Sequence, residues 1–550
     1  MKFVLGLVLL FCVSFPALGQ VPTGEEPGHQ VARFAQPAGA QSKPGALISL
    51  PSSVAPEGAA RILLYVTSIN IVGSTIYSDK EFASLLAAIV GKDVTLAALY
   101  DLAQKLTAKY GNDGYVLSRA IVPPQSLDPR GARVTIQIVE GYVDAVQWPS
   151  EPAHDQKLFA EYGTKITAQR PANIKTIMRY LLLADNLPGL SVTSRFQASA
   201  ANPNASTLIV DTAVKHIDAY SQLDNRGTPG RGPWEFSDSA TFNDVLGLNE
   251  ALTIIYSGAA QVSELQSLGL SYTQVLNSEG LSIFSDANKS WGAPDTPDLT
   301  AVEYNAQSFT WDLGLKEQAI RSRDLNLSLS EQVFLSDNEA EMLGAPSSDD
   351  RLRGVRVGAN YDSTDSSNGT TEASATFSHG FVGFGSSSNG DPLLSREHGR
   401  VDFSKIEVSA SRTQQLGKGF SVVAATDDQY AFTPLLSPEE CTYGGSQFGR
   451  GFDPSELSGD SCVDVSGEAR FDPAVSGALK QLELYGFADY GAIFRIAPSV
   501  GTPANASGAS TGVGVRVAAG SFSADLSAVK PLFGRTDDDW RYFLTSSARY

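Results

Sequence analysis

The chain has 550 residues, more than one compact core accommodates, so several domains are expected. It carries 41 Lys and Arg against 60 Asp and Glu, a net charge of −19, which argues against a nucleic-acid partner, since such a protein would show a basic stripe. Hydrophobic residues make up only 42%, too few for a bundle of membrane helices, while 50 glycines and many Ser, Thr and Asn point to strands and turns.

Residues 1–19 read as a secretory signal. Lys2 supplies the charged start, Phe3 to Phe15 the apolar run, and Ala17-Leu18-Gly19 a small-residue cleavage site. The run is too short for a spanning helix, and Cys12 is not at a lipoprotein cleavage position. Residues 20–59 are rich in Pro, Gly, Ala and Ser and read as a linker or a loosely held extension.

A compact αβ unit is expected over 60–142. Ile69 and Ile71 alternate in a first strand that Gly73 ends. Phe82, Leu85, Leu86 and Ile89 then recur at helical spacing, with Gly91 as C-cap. Thr95 caps a second helix carrying Leu99, Leu102, Ala103 and Leu106 on one face. Strands over 114–122 and 134–139 close the unit. A second unit is expected over 143–216, with an amphipathic helix through Ile174, Ile177, Met178, Leu181 and Leu182, a break at Leu187-Pro188-Gly189, and a closing strand over 207–214.

The texture changes over 217–550. Segments of about ten residues alternate apolar and polar between Gly, Asn, Asp, Ser and Pro. Ala373, Ala375 and Phe377 alternate with Glu372, Ser374, Thr376 and Ser378; Phe522, Ala524, Leu526 and Ala528 alternate with Ser523, Asp525 and Ser527. Alternation alone fits a soluble sandwich or a membrane barrel. Charge on the polar faces, the lack of an enclosing helical layer and the strand-like end at Tyr542-Phe543-Leu544 to Tyr550 favour a barrel closed in lipid. About eleven strands precede a turn-rich stretch near 434–465 and about five follow it, for about 16 in all, an even number as such barrels have.

Within that stretch stands Gln447-Phe448-Gly449-Arg450-Gly451-Phe452-Asp453-Pro454. About forty residues on, Gly486-Phe487-Ala488-Asp489-Tyr490-Gly491 has strand character, with Phe487, Asp489 and Gly491 on one face. A carboxylate on an inward face needs a cation, and an Arg between glycines at a loop tip can supply a bidentate one. Cys441 and Cys462 flank the same loop. In an oxidising compartment they can bridge it, stabilising by roughly 3 kcal/mol in the chain-entropy model, or remain free thiols; spacing does not decide.

These two motifs resemble the outer-membrane transporters of the two-partner secretion family, in which an Arg-Gly-Phe/Tyr loop tip tucks into the lumen against a Phe-x-Asp-x-Gly strand. The stretches Gly114-Tyr115-Val116-Leu117-Ser118-Arg119-Ala120, Val122-Pro123-Pro124-Gln125 and Val139-Glu140-Gly141-Tyr142 are similar to the family's POTRA (polypeptide-transport-associated) domains. Asp218-Ala219-Tyr220 to Asp224-Asn225-Arg226-Gly227, and Gly512-Val513-Gly514-Val515-Arg516, resemble its first and late strands.

The resemblance implies a transmembrane antiparallel β-barrel of about 16 strands in the outer membrane, preceded by two periplasmic POTRA domains. It implies a lumen latch of Arg450, Gly451, Phe452, Phe487, Asp489 and Gly491, with Phe452 and Phe487 beside the pair and 441–467 as the sixth extracellular loop, folded inward. Its partners would be an extended, unfolded exoprotein of large β-helical type and the membrane lipid. Family members often carry an N-terminal helix that plugs the barrel, for which Gly28 to Ala35 is the sole candidate here. The competing readings are a barrel-assembly factor of the same superfamily and a passive surface porin.

His29, His154, His216, His379 and His398 have no partner at metal-ligand spacing, and no phosphate loop or nucleophile elbow is present. No cofactor, metal or enzymatic activity is therefore expected.

Overall fold

The computed structural model describes residues 21–29, 54–149, 156–498 and 502–550. The signal reading, Cys12 and His154 lie outside the described residues.

The first αβ unit contains β1 (Leu63–Val72), α1 (Asp79–Leu86), β2 (Lys92–Thr95), α2 (Leu96–Asn112), β3 (Arg119–Ile121) and β4 (Ala132–Val139). Its sheet runs β2-β1-β4-β3, with β1 and β4 parallel. Ser78 and Glu81 form a capping box at α1. The Thr95 hydroxyl accepts from the Ala98 amide at the start of α2. Leu99, Leu102, Ala103, Leu106 and Tyr110 of α2 are buried against the sheet, each large one contributing roughly 1.5–3 kcal/mol.

Two expectations shift here. Helix α1 stops at Leu86, and Ile89 sits in the turn leading to Gly91, whose φ is +77°. The strand expected over 114–122 contracts to Arg119–Ile121, because the Tyr115 and Ser118 amides close turns onto Tyr110 and Tyr115 carbonyls.

The second unit contains β5 (Tyr142–Gln147), α3 (Gln156–Ala168), α4 (Ile174–Asp185), β6 (Leu190–Ala198) and β7 (Ala205–Val214), in sheet order β5-β7-β6. Helix α3 was not anticipated. Its buried stripe of Phe159, Tyr162 and Ile166 is interrupted by Gly163, which masks the period. Leu117 of the first unit packs into the core of the second, together with Val143, Tyr162 and Leu181.

The remaining long strands close a barrel. In chain order they are β8 (Ile217–Asp224), β9 (Glu235–Asn243), β10 (Glu250–Ala259), β11 (Gln266–Val275), β12 (Ser282–Gly292), β13 (Asn305–Arg321), β14 (Leu325–Met342), β15 (Ala345–Thr364), β16 (Gly369–Gly380), β17 (Ser404–Gly417), β18 (Phe420–Ala431), then, past the short β19 (Cys441–Tyr443) and β20 (Leu457–Gly459), β21 (Ser461–Phe471), β22 (Leu479–Phe494), β23 (Asn505–Ala519), β24 (Phe522–Phe533) and β25 (Arg541–Arg549). Each pairs antiparallel with its chain neighbour in the barrel, and β25 pairs with β8 to close it. Closure satisfies the backbone groups that lipid cannot.

The 16 strands form the antiparallel outer-membrane barrel. Eleven precede the long sixth extracellular connection and five follow it. Phe377 and Leu526 stand exposed on the outer wall, while Asp312, Arg356 and Asp489 turn inward. No helix among the described residues is long and apolar enough to cross a membrane.

The loop bounds also shift. β21 begins at Ser461, so the connection spans 432–460 rather than running to Gly467.

The second αβ unit docks on the periplasmic turns. Glu279, between β11 and β12, pairs with Lys165 of α3 at 2.6 Å and Arg179 of α4 at 3.4 Å. Arg179 also donates to the Gln318 and Ala319 carbonyls of β13. Glu279 is partly exposed, so each contact is worth about 0–1 kcal/mol. Glu279→Ala is expected to leave the barrel folded and to broaden the distance distribution between spin labels on α4 and β14; an unchanged distribution would show that other contacts hold the unit.

Candidate functional site

The inner face of β21–β23 carries acidic groups in register. Ser466 and Ser510 lie directly across from Asp489 on the two neighbouring strands, and Glu468 across from Phe487. Taken alone, these carboxylates are buried negative charge, which is costly unless paired.

The loop 432–460 brings the counter-charge. Arg450 donates from Nε and Nη2 to the two Asp489 oxygens at 3.0 and 2.8 Å, a bidentate fork. Its Nη1 donates to Glu468 at 2.5 Å, its Nη2 to the Ser466 hydroxyl at 2.9 Å, and its backbone amide to Asp489 at 3.1 Å. The guanidinium lies 3.4 Å over the Phe487 ring. Arg450 is 6% exposed and Asp489 3%. Burial alone would lower the Arg450 pKa, but Asp489 and Glu468 outweigh it and hold the pKa above its ordinary value. Removing one partner from a pair this enclosed costs about 3–5 kcal/mol locally.

Glycines permit this approach. A Cβ on Gly451 would lie 2.8 Å from the Ser510 Cβ, and one on Gly491 only 2.2 Å from the Tyr443 ring. The Gly451 amide donates to Ser510 and its carbonyl accepts from Arg541.

The two aromatics separate. Phe487 supports the guanidinium, whereas Phe452 packs edge-on against Tyr443 at 5.0 Å, in a cluster with Ile493 and Cys462. Cys441 on β19 and Cys462 on β21 are joined as a disulfide with Cα atoms 6.3 Å apart. Beyond the tip, Asp453 pairs with Arg541 and Arg535.

Glu468, Ser466 and Ser510 escaped the sequence reading. With 441–467 read as loop, the alternation Cys462, Asp464, Ser466, Glu468 could not be seen as one strand face.

A second insert reaches the mouth. Residues 21–29 pass between the β8–β9 connection and the loop, and are not a loosely held extension. Glu25 pairs with Arg231 at 2.5 Å, both almost fully buried. The Thr23 hydroxyl donates to the Ser455 carbonyl, and the Tyr304 hydroxyl to the Glu25 carbonyl. Burial lowers the His29 pKa to about 4, with Lys405 adding to the effect. Of the plug candidate Gly28 to Ala35, only Gly28 and His29 are described, in a 3₁₀ turn over Pro27–His29. Among the described residues no group of three or more His, Cys, Asp or Glu is arranged to hold a metal.

Comparison with known proteins agrees with this architecture. The ShlB-type POTRA domain matches residues 64–141, and the haemolysin secretion/activation protein ShlB/FhaC/HecB model matches residues 205–516. The heme/hemopexin transporter protein HuxB of Haemophilus influenzae (strain 86-028NP) is 21% identical over 97% of this chain and 95% of its own. The outer membrane transporter CdiB of Dickeya dadantii (strain 3937) is 22% identical over 70% and 68%. Among solved structures, CdiB from Escherichia coli superposes with a TM-score of 0.71 at 18% identity, covering 91% of this chain and 94% of that one. BamA from Haemophilus ducreyi lacking POTRA domains 1–3 gives 0.53 at 12% identity, covering 88% and 100%. The family model spans more than half of the chain, and the chain accordingly belongs to the haemolysin secretion/activation protein family, the outer-membrane transporters of two-partner secretion.

Proposed function

We propose that the protein takes an unfolded exoprotein from the periplasm on its two POTRA units, over 60–142 and 143–216, and passes it in extended form through the lumen without nucleotide. The client is a large β-helical protein whose folding outside makes passage one-way. Docking uses main-chain pairing to exposed strand edges, with side chains beside the edge selecting the client. The surrounding lipid seats the apolar outer wall.

The observation that carries this reading is the Arg450 loop held inside a barrel that hangs two αβ units on its periplasmic side. A passive porin has no use for either feature. Arg450, Gly451, Phe487, Asp489 and Gly491 act as a latch that sets where the loop sits, with Phe452 and the Cys441–Cys462 bridge stiffening its stem. The 21–29 insert closes part of the remaining mouth.

Three outcomes follow from these roles. Arg450→Ala should leave a folded, inserted barrel but lower client in the medium roughly tenfold or more, since one partner of a buried pair is removed; wild-type secretion would count against the latch. Deleting 60–216 should preserve a conducting pore in planar bilayers while abolishing secretion; continued secretion would remove the POTRA units from client capture. Deleting 21–29 should raise single-channel conductance, and an unchanged conductance would mean that the insert does not obstruct the pore.

A further inference from the structure

The loop is held at a second place. Its shoulder, Ser437–Glu439, is a 3₁₀ turn that carries Glu439 against the wall formed by β15 and β17. Glu439 is 2% exposed. Its Oε1 lies 2.8 Å from Arg356 Nη2 and its Oε2 2.9 Å from Lys405 Nζ. Lys405 and Gln429 also donate to the Glu439 carbonyl, at 3.1 and 3.0 Å.

The two anchors differ in what their release would leave behind. At the shoulder each wall cation already has a wall carboxylate. Arg356 lies 3.3 Å from Asp312, and Lys405 3.2 Å from Glu407. Withdrawing Glu439 therefore leaves two paired cations. At the tip the case is different. Glu468 would keep Arg516 at 2.8 Å and Arg470 at 2.6 Å. Asp489 would keep only the hydroxyls of Ser466 and Ser510 among the partners described. Removing the tip strands a buried carboxylate, whereas removing the shoulder leaves no wall charge unpaired and uncovers the apolar contacts of Leu435 and Leu436.

A further contact orders the two. A Cβ on Gly28 would lie 2.4 Å from the Pro438 Cα, so the 21–29 insert rests directly on the shoulder.

We propose that Glu439 is a releasable catch and that the loop moves by swinging its shoulder away from β15 and β17 while Arg450 stays seated as the pivot. The insert must lift from Pro438 before the catch opens. The cleared sector of lumen, lined by Arg356, Asp312, Lys405 and Glu407, is where an extended client passes. Glu439 is thus a positioning residue for transport. The inference rests on the transporter reading, but its test needs no client, so the two can fail separately.

The test uses the full chain in planar bilayers, together with hydroxyl-radical footprinting of the detergent-solubilised protein. Glu439→Gln keeps size and loses charge. It is expected to raise open-state occupancy roughly tenfold, with Glu439→Asp staying near wild type. Leu435 and Leu436, both buried in the wild type, should gain labelling, while Phe452 at the tip should stay protected. Lys405→Gln, which removes one arm of the catch from the wall side, should shift both readouts the same way and serves if the first variant does not fold. Unchanged occupancy in a folded variant would overturn the proposal. So would Phe452 becoming labelled together with the leucines, since the loop would then leave as a whole.

Discussion

Asp489 is the constraint on which the site depends. It sits on a central strand of the late barrel, faces inward, and is 3% exposed. The strands beside it offer only hydroxyls opposite, so its charge must be met by something that is not wall. A cation delivered on a loop is the available solution, and an Arg between glycines can reach deep enough while filling both carboxylate oxygens. The stem disulfide, the Asp453 pairs with Arg535 and Arg541, and the Tyr443–Phe452 contact follow from having to hold that loop at depth.

The membrane sets the other half of the design. Lipid forbids unpaired backbone, so the sheet closes, and closure makes every strand two-faced. The outer face is committed to apolar side chains. Control elements must therefore be built on the inner face or inserted from the ends. The protein uses both ends: the second αβ unit docks below through Glu279, and the loop and the 21–29 insert enter near the mouth above. Charge pairs hold the loop to the wall alongside apolar packing, Leu435 and Leu436 against Phe334, Leu352 and Phe403 and Phe452 beside Ile493; a separated ion pair is rehydrated, whereas separated apolar faces expose surface at a cost proportional to area.

Much of the fold was legible because it is periodic. Alternation of two along Ala373, Ala375 and Phe377, and of three to four along Leu99, Leu102, Ala103 and Leu106, is written by burial on one face and survives without context. What escaped was set by contacts distant in sequence. Helix α3 hides its stripe at Gly163; the run after α2 turns instead of extending because the Gly114 and Tyr115 amides find α2 carbonyls and the Ser118 amide that of Tyr115. At the site, Arg450 and Asp489 stood out through their flanking Gly and Phe. Glu468 did not, because its face becomes visible only once β21 is known to start at Ser461. The insert at 21–29 was illegible for a related reason. A segment of Pro, Gly and Glu has no period, and its order comes from residues far along the chain, among them Arg231, Tyr304, Pro438 and Ser455.

The wall chemistry gives the two ends of the loop different fates. A pair is easily broken when each member has a second partner waiting, and hard to break when one member has none. Arg356 and Lys405 have Asp312 and Glu407 at hand, so the wall beneath the shoulder keeps both cations paired once Glu439 is withdrawn. Asp489 has no such reserve among the described residues, so the tip has one comfortable position. An electrostatic surface arranged in this way permits motion at one point and resists it at another. Direction of opening is then a property of where the spare carboxylates lie, and these lie on β13 and β17.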